Sequence, residues 1–252
     1  MAKALSFPLL LRFFNGYLYV GQRHREYLLH YGAPADRSFF SPHCVDNEAF
    51  RIAAQAARQA ATTAGRDPGV KRLLFVGKLI ERKRPGDLVR AAALLRKRGC
   101  PVEVAFAGSG ELRQVLEQEA SAAAVPVRFL GFVNQSELPA VYASADLLVL
   151  PSDSHESWGL VVNEAMACGV AAVVSDVVGC GPDLVEGGAT GEVFPVGDVE
   201  ALATAIETAL ALPKEAARRN ISVRMQIYSP KCAAEGIMDA AAAMRPNFDS
   251  KP

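Results

Sequence analysis

The chain has 252 residues, which is enough for one large domain or two small ones. Half of the residues are hydrophobic, 21% are charged, and 27 basic residues balance 27 acidic ones. A nucleic-acid-binding protein is usually strongly basic, so this balance argues against that class. The five cysteines are scattered, and no pair has the spacing of metal ligands or of a disulfide framework, so a reducing cytosol is the simplest setting.

Residues 1–47 contain only a few short elements. Their patterns predict a helix near the N-terminus, a strand at 17–21, a helix at 23–31 and a strand-like piece at 38–41. So few elements cannot build a hydrophobic core of their own. We therefore expect them to pack against another part of the chain.

The apolar segment 5–20 does not predict a transmembrane helix. Arg12 and Asn15 interrupt it, and it is too short to span a bilayer. It allows two interpretations, a helix that lies on a membrane surface, peripheral to the inner face, or a core-facing helix of a domain, and the second is favoured. The side chains concerned are Phe7, Leu10, Leu11, Phe13 and Phe14.

Residues 48–70 are interpreted as a linker and domain boundary. The segment 48–66 is alanine-rich and predicts a weakly amphipathic helix, and Asp67-Pro68-Gly69 ends it.

Residues 71–212 alternate between apolar strands and helices, which predicts an α/β fold with a doubly wound, Rossmann-like parallel sheet. Runs that are apolar on both faces suit a parallel sheet covered on both sides. The predicted strands are 73–76, 102–107, 127–130, 147–150, 171–174 and 192–194. The predicted helices are 85–98, 111–123, 136–143, 160–168 and 199–212, the last with Asp198 as its N-cap.

The last segment, 213–252, predicts two more helices, at 214–228 and 231–244. We expect these helices to pack back on the N-terminal residues, with 231–244 and 7–31 forming a small satellite.

Glycines and charged residues follow four successive strands of the predicted sheet. Ligands of open α/β sheets bind beyond the carboxyl ends of the strands, so these residues meet at one edge. Glycine lets a backbone approach a phosphate closely, and lysine supplies positive charge. The four segments are Gly77-Lys78-Leu79 with Lys83, Gly108-Ser109-Gly110, Gly131-Phe132-Val133, and the loop that contains Glu156.

The helix predicted at 160–168 has apolar residues on both sides and carries Glu164 as its only charge, and burying a carboxylate requires a polar partner. Glu156 lies in the loop before this helix, whose N-terminal N–H groups favour an anion. Together they indicate a site for a phosphorylated, hydroxyl-rich ligand. The alternative, that Glu156 is a solvated loop acid and Glu164 reaches the surface, stays open on residue chemistry alone.

The spacing of the two glutamates resembles the signature of the retaining group 1 glycosyltransferases of sequence family 4. Seven residues separate them, Trp158-Gly159-Leu160 follows the first, and Ala165-Met166-Ala167-Cys168-Gly169 follows the second. Gly77-Lys78 with Lys83 agrees with a second motif of that family, although Lys78 stands where arginine is common. The resemblance covers residues 16–244 and implies the GT-B fold of two Rossmann-like domains.

The resemblance implies a site for a nucleotide-sugar donor, a UDP- or GDP-sugar. Lys78 and Lys83 would hold the diphosphate, and Glu156 would meet the sugar hydroxyls and face the charge that develops at the anomeric carbon. Glu164 would accept hydrogen bonds from the ribose. The implied catalytic residues are Glu156, Lys83 and Lys78. The implied donor contacts are Gly77, Lys78, Lys83, Gly108, Val133 near the base, Glu156, Glu164, and the backbone of Trp158, Gly159 and Leu160 near the distal phosphate.

The resemblance also implies transfer to a glycan or lipid-linked acceptor with retention of configuration, and it implies no metal or other cofactor. Residues 1–47 would correspond to the end of the N-terminal, acceptor-side domain, most of which this chain does not contain. Three alternatives therefore stay open: a nucleotide-sugar-binding module, a truncated or split transferase that works with a separate acceptor-domain polypeptide, and a GT-B epimerase.

Three residues near the two glutamates could have either a structural or a functional role. His155 beside Asp153 is favoured as a loop residue over a catalytic one. Trp158 is favoured as a packing residue over a stacking platform for sugar. Cys168, on the apolar helix, is favoured as structural over nucleophilic.

Overall fold

A six-stranded parallel sheet is the centre of the fold in the computed structural model, which describes residues 2–61, 67 and 69–244. In chain order its strands are β3 (Lys71–Val76), β4 (Val102–Ala107), β5 (Val127–Gly131), β6 (Leu147–Leu150), β7 (Ala172–Ser175) and β8 (Gly191–Phe194). The spatial order is β5-β4-β3-β6-β7-β8, and every pairing is parallel. The order therefore reverses between β3 and β6, which is the topological switch point of a doubly wound sheet.

Helices cover both faces of this sheet. The α-helices from Asn47 to Ile227 are α3 (Asn47–Ala60), α4 (Pro85–Lys97), α5 (Arg113–Ala122), α6 (Leu138–Ser144), α7 (Leu160–Ala167), α8 (Gly181–Leu184), α9 (Val199–Ala211) and α10 (Lys214–Ile227). One group contains α4, α5 and α9, and a second contains α3, α6 and α7. All residues of β6 and β7 are buried although successive side chains point to opposite faces, so both faces are covered. The predicted α/β, Rossmann-like fold class is confirmed.

Most element bounds agree with the sequence within two residues, and Asp198 caps α9 as predicted, its side chain accepting from the Ala201 amide at 2.9 Å. The structure does not agree with the predicted linker at 48–70. The chain there forms α3, whose Phe50 and Ala54 are buried, so this segment is part of the domain core. Residues 62–66 and Pro68, which the prediction also included, lie outside the described residues.

The described chain divides into two compact units. The central unit is Val45–Met225, and the terminal unit joins the residues up to Cys44 with those from Gln226. The predicted boundary at 212/213 therefore differs, because most of α10 belongs to the central unit. Residues 245–252 of the predicted last segment lie outside the described residues.

The terminal unit contains α1 (Ala2–Leu11), β1 (Tyr17–Tyr19), α2 (Gln22–His30), β2 (Ser38–Phe40) and α11 (Pro230–Ala243). Its small core contains Leu11, Tyr17, Leu28 and Ala33. Strands β1 and β2 pair in parallel, and α11 packs closely on β2. Gly236 makes that approach possible, because a Cβ there would lie 1.7 Å from the carbonyl oxygen of Phe40.

The apolar segment around α1 is divided between core and surface. Leu11 is buried and Phe7 packs on the rings of Tyr27 and Tyr31, as a core-facing helix requires. Phe13, in contrast, is 83% exposed, and the neighbours Leu9, Leu10 and Phe14 are also exposed. No helix within the described residues is long and apolar enough to cross a membrane.

Candidate functional site

The carboxyl ends of β3 and β6 lie side by side at the switch point, because the two strands are parallel neighbours. The loop after β3 contains Lys78 and Lys83, and the loop after β6 contains Glu156. A backbone hydrogen bond joins the loops, with the Asp153 amide donating to the Arg82 carbonyl at 2.9 Å. The sheet thus brings together residues that are 73 positions apart in the chain.

An ion pair between Lys83 and Glu156 is the centre of this arrangement. The ammonium Nζ of Lys83 contacts Oε2 of Glu156, and the two side chains are only 16% and 13% exposed. The hydroxyl of Ser152 also donates to Oε2, at 3.3 Å. Ser152 is buried, and its carbonyl accepts from the Ser175 hydroxyl of β7 at 2.6 Å. The Glu156 carboxylate therefore contacts Lys83, which follows β3, and Ser152, which follows the neighbouring strand β6.

Glu164 has a protein partner that the sequence did not predict. The phenol of Tyr142, on α6, donates to its Oε2 at 2.7 Å. Burial raises the pKa of Glu164, and the hydrogen bond from Tyr142 partly opposes this by lowering it. The pKa of Tyr142 is raised well above its usual value by burial and by the Glu164 charge, so the phenol keeps its proton and remains a donor. No described residue donates to the other carboxylate oxygen of Glu164.

Gly159 is the N-cap of α7, and its φ of +98° lies in the left-handed region that favours glycine. Among the described residues, none accepts a hydrogen bond from the amides of Leu160 and Val161, the first two of the helix. Trp158 is buried, and its indole N–H donates to the Asn163 side chain at 2.8 Å. The packing interpretation of Trp158 is therefore the one that the structure shows, and its ring fixes the start of the helix.

Glycines set the spacing of the loops at this edge. A Cβ at Gly108 would lie 1.9 Å from the Gly77 carbonyl oxygen, so the loops after β3 and β4 touch through their backbones. Gly108 also donates from its amide to the Gly131 carbonyl at 2.7 Å. Val133 lies two residues after Gly131, in the loop that follows the edge strand β5. Its side chain is half-buried, whereas that of Phe132 is 79% exposed.

The turn at 179–181 supports the Glu156 loop, a function that the sequence did not indicate. Gly179 donates from its amide to the Glu156 carbonyl at 3.1 Å, and Cys180 donates to the Trp158 carbonyl at 2.9 Å. A Cβ at Gly179 would lie 1.9 Å from the Ser157 carbonyl oxygen, so only glycine fits. The glycines and the proline of Gly179-Cys180-Gly181-Pro182 are typical of a turn, but contacts between distant loops leave no local signal in the sequence.

Three further residues singled out in the sequence, Lys78, His155 and Cys168, differ in their exposure and partners. Lys78 is exposed, and its ammonium has no ion-pair partner within the described part of the chain. His155 is exposed, with Nδ1 3.0 Å from the Asp153 carboxylate, as a loop residue would be. Cys168 is buried, and burial raises the pKa of its thiol to about 12, which does not suit a nucleophile.

The family described as glycosyl transferases group 1 matches residues 60–224. This match covers more than half of the chain, and the chain belongs to that family. The resemblance to group 1 glycosyltransferases is therefore confirmed.

Two curated relatives show the range of the similarity. D-inositol 3-phosphate glycosyltransferase from Pseudarthrobacter chlorophenolicus is 38% identical over 160 residues, which are 61% of this chain and 37% of the relative. Glycogen synthase from Mycobacterium tuberculosis is 33% identical over 192 residues, 75% of this chain and 46% of the relative. The chain thus spans less than half the length of these two relatives.

Solved structures agree on the fold. Anabaena HepE in complex with UDP and glucose matches with a TM-score of 0.73 and 22% identity, over 95% of this chain and 66% of that one. Sucrose-phosphate synthase from Thermosynechococcus elongatus matches with a TM-score of 0.74 and 23% identity, over 96% and 61% of the two chains. At these identities the likeness shows the GT-B fold alone.

Proposed function

We propose that this chain binds a nucleotide-sugar donor, a UDP- or GDP-sugar, at the switch point and transfers the sugar to a glycan or lipid-linked acceptor. The observation that carries the proposal is the Lys83–Glu156 pair. It places one cation and one carboxylate at the edge of the sheet where α/β proteins bind ligands. Membership of the group 1 family supports sugar transfer as the reaction.

The donor diphosphate is assigned to Lys83, Lys78 and the start of α7. Lys83 would exchange the Glu156 carboxylate for a phosphate oxygen, and the exposed Lys78 would add a second charge. The amides of Leu160 and Val161 point out of a helix N-terminus, which attracts anions. Gly77, Gly108 and Gly159 let the backbone come close to the phosphates.

The nucleoside is assigned to Glu164 and to the loop that contains Val133. Tyr142 occupies one carboxylate oxygen of Glu164. The other oxygen would accept the ribose hydroxyls, which offer donors to an acceptor-only carboxylate. A bound ribose would satisfy the half-buried charge and so lower the pKa of Glu164 towards its usual value.

The chemistry is proposed to retain configuration, as in sequence family 4. The bond between the anomeric carbon and the donor phosphate breaks, and the acceptor hydroxyl oxygen forms a bond on the same face. The acceptor proton passes to the departing phosphate oxygen. Lys83 stabilises the negative charge of that leaving group, and Glu156, released from the ion pair, faces the positive charge at the anomeric carbon.

A second candidate function is donor binding without transfer by this chain alone. This function is favoured because the match spans only 37% and 46% of the lengths of the two relatives described above. In that case an acceptor-side domain, in a longer chain or in a separate polypeptide, would complete the enzyme.

One experiment separates the two candidates. The purified chain is titrated calorimetrically with UDP, GDP and ADP, and the matching nucleotide-sugars are then incubated with glycan acceptors while released nucleotide and the anomeric configuration of the product are followed by NMR. Binding with product formation supports the transferase. Binding without turnover supports the second candidate, and a folded chain that binds no nucleotide contradicts both.

A further inference from the structure

Arg84 has a left-handed backbone conformation immediately after Lys83. Its φ of +50° and ψ of +42° lie in a region that L residues with side chains rarely adopt. Within the described residues, only Ala124 shares a positive φ among non-glycines. Such strain persists where the surroundings hold it, and it is often found at functional sites.

Asp87 is the group that holds Arg84. Its Oδ2 accepts from Nε of Arg84 at 2.6 Å, and its own amide donates to the Arg84 carbonyl at 3.1 Å. Its Oδ1 accepts from Nη2 of Arg90 at 2.5 Å. The Asp87 side chain is only 3% exposed, whereas those of Arg84 and Arg90 are 34% and 51% exposed, so a buried carboxylate accepts charge-assisted bonds from two arginines nearer the surface.

Arg84 lies at the junction between the turn that contains Lys83 and helix α4. A 3-10 turn at Glu81–Lys83 ends at Arg84, and α4 begins directly after it. The Arg84 amide closes the turn by donating to the Glu81 carbonyl at 2.9 Å. A change of Arg84 to the ordinary right-handed region would redirect the turn relative to α4, and with it the Lys83 side chain.

We propose that Asp87 is a positioning residue for the donor site: by holding Arg84 left-handed, it aims the Lys83 ammonium at the Glu156 loop and at the donor diphosphate. This inference rests on the proposed function for its ligand. Asp87 does not contact the donor, and its effect passes through Arg84 to Lys83.

The test is a double-mutant cycle on nucleotide affinity. Asp87→Asn keeps the size of the side chain and removes its charge. We expect it to weaken binding of UDP, or of whichever nucleotide binds, by about tenfold when Lys83 is present, and by less than about twofold in the Lys83→Ala background. Arg90→Gln, which breaks the other contact of Asp87, is the control and should leave the affinity within about twofold of the wild type.

A second readout needs no nucleotide. Lys83 is shielded by its ion pair, so an amine-acetylating reagent followed by mass spectrometry should label it faster in Asp87→Asn than in the wild type. Arg84→Gly should cancel this increase in the double variant, because glycine adopts the left-handed conformation without help. The double variant with Arg84→Gly also provides a test if Asp87→Asn alone fails to fold.

The outcomes are distinguishable. Equal Lys83 labelling in the wild type and Asp87→Asn overturns the inference, as does a loss of affinity that is the same with and without Lys83. Faster labelling in a chain that binds no nucleotide supports the positioning role while contradicting the proposed function.

Discussion

The phenol of Tyr142 on α6 donates a hydrogen bond to the carboxylate of Glu164 on α7, and this contact joins two helices of the central unit beside the proposed ribose site. Tyr142 is fully buried, so its hydroxyl has no access to water as an alternative partner.

Tyr142→Phe should therefore lower the stability of the chain. The substitution leaves the half-buried carboxylate without its donor, and we expect the free energy of unfolding at pH 7 to fall by about 1–3 kcal/mol. Urea denaturation measures this change. Tyr27→Phe, at a partly exposed tyrosine, is the control and should have little effect. Equal stability of the two variants would show that the Tyr142 bond contributes nothing.

Glu164→Gln should separate stability from binding. Burial raises the folded-state pKa of Glu164 above its unfolded value, so the folded state binds more protons and stability falls as the pH rises from about 4.5 through the folded pKa. The neutral amide avoids this loss and can still accept from Tyr142. We expect the variant to be more stable than the wild type at pH 7, with a smaller difference at pH 4. Urea denaturation at both values tests the sign, and an unchanged difference between them would contradict it.

The same Glu164→Gln variant should bind nucleotide more weakly at pH 7, because an amide accepts ribose hydroxyls less strongly than a carboxylate does. Calorimetric titration measures the affinity. A variant that is both more stable and fully competent to bind would place the ribose elsewhere.

Gly179→Ala should disturb the Glu156 loop. The new Cβ would lie 1.9 Å from the Ser157 carbonyl oxygen, so the loop must move. We expect a loss of about 1–3 kcal/mol in unfolding free energy and weaker nucleotide binding. Gly181→Ala is the matched control, since its Cβ would meet nothing closer than 3.7 Å. If the two variants behave alike, the turn does not support the loop.

Cys168 should resist alkylation in the folded chain. Its pKa of about 12 leaves about one thiol in a thousand ionised at pH 9, and burial blocks the reagent as well. Iodoacetamide labelling followed by mass spectrometry should modify Cys168 in urea but not in buffer. Rapid labelling of the folded chain would contradict the structural role.

The sequence predicted the sheet because short, continuous apolar runs alternate with helical patterns along residues 71–212. It predicted that Glu164 needs a polar partner, since Glu164 is the only charge on a mostly apolar helix. It could not predict Tyr142, because pairing two residues on different helices depends on how those helices pack. Similarly, Gly179 is recognisable as a turn residue, but its contact with Ser157 exists only once β6 and β7 lie side by side. The alanine-rich α3 looked like a linker because Phe50 is its only large buried anchor.

Under the proposed function, Lys83 binds the donor diphosphate at the switch point. The most direct measurement is the calorimetric affinity of the wild type, Lys83→Ala and Lys97→Ala for the nucleotide diphosphate that binds best. Lys97 is an exposed lysine at the end of α4 and serves as the matched control. We predict that Lys83→Ala loses about 1.5–3 kcal/mol of binding free energy, as expected for a charge-assisted contact, while Lys97→Ala binds like the wild type. Equal affinity of all three chains would contradict the claim.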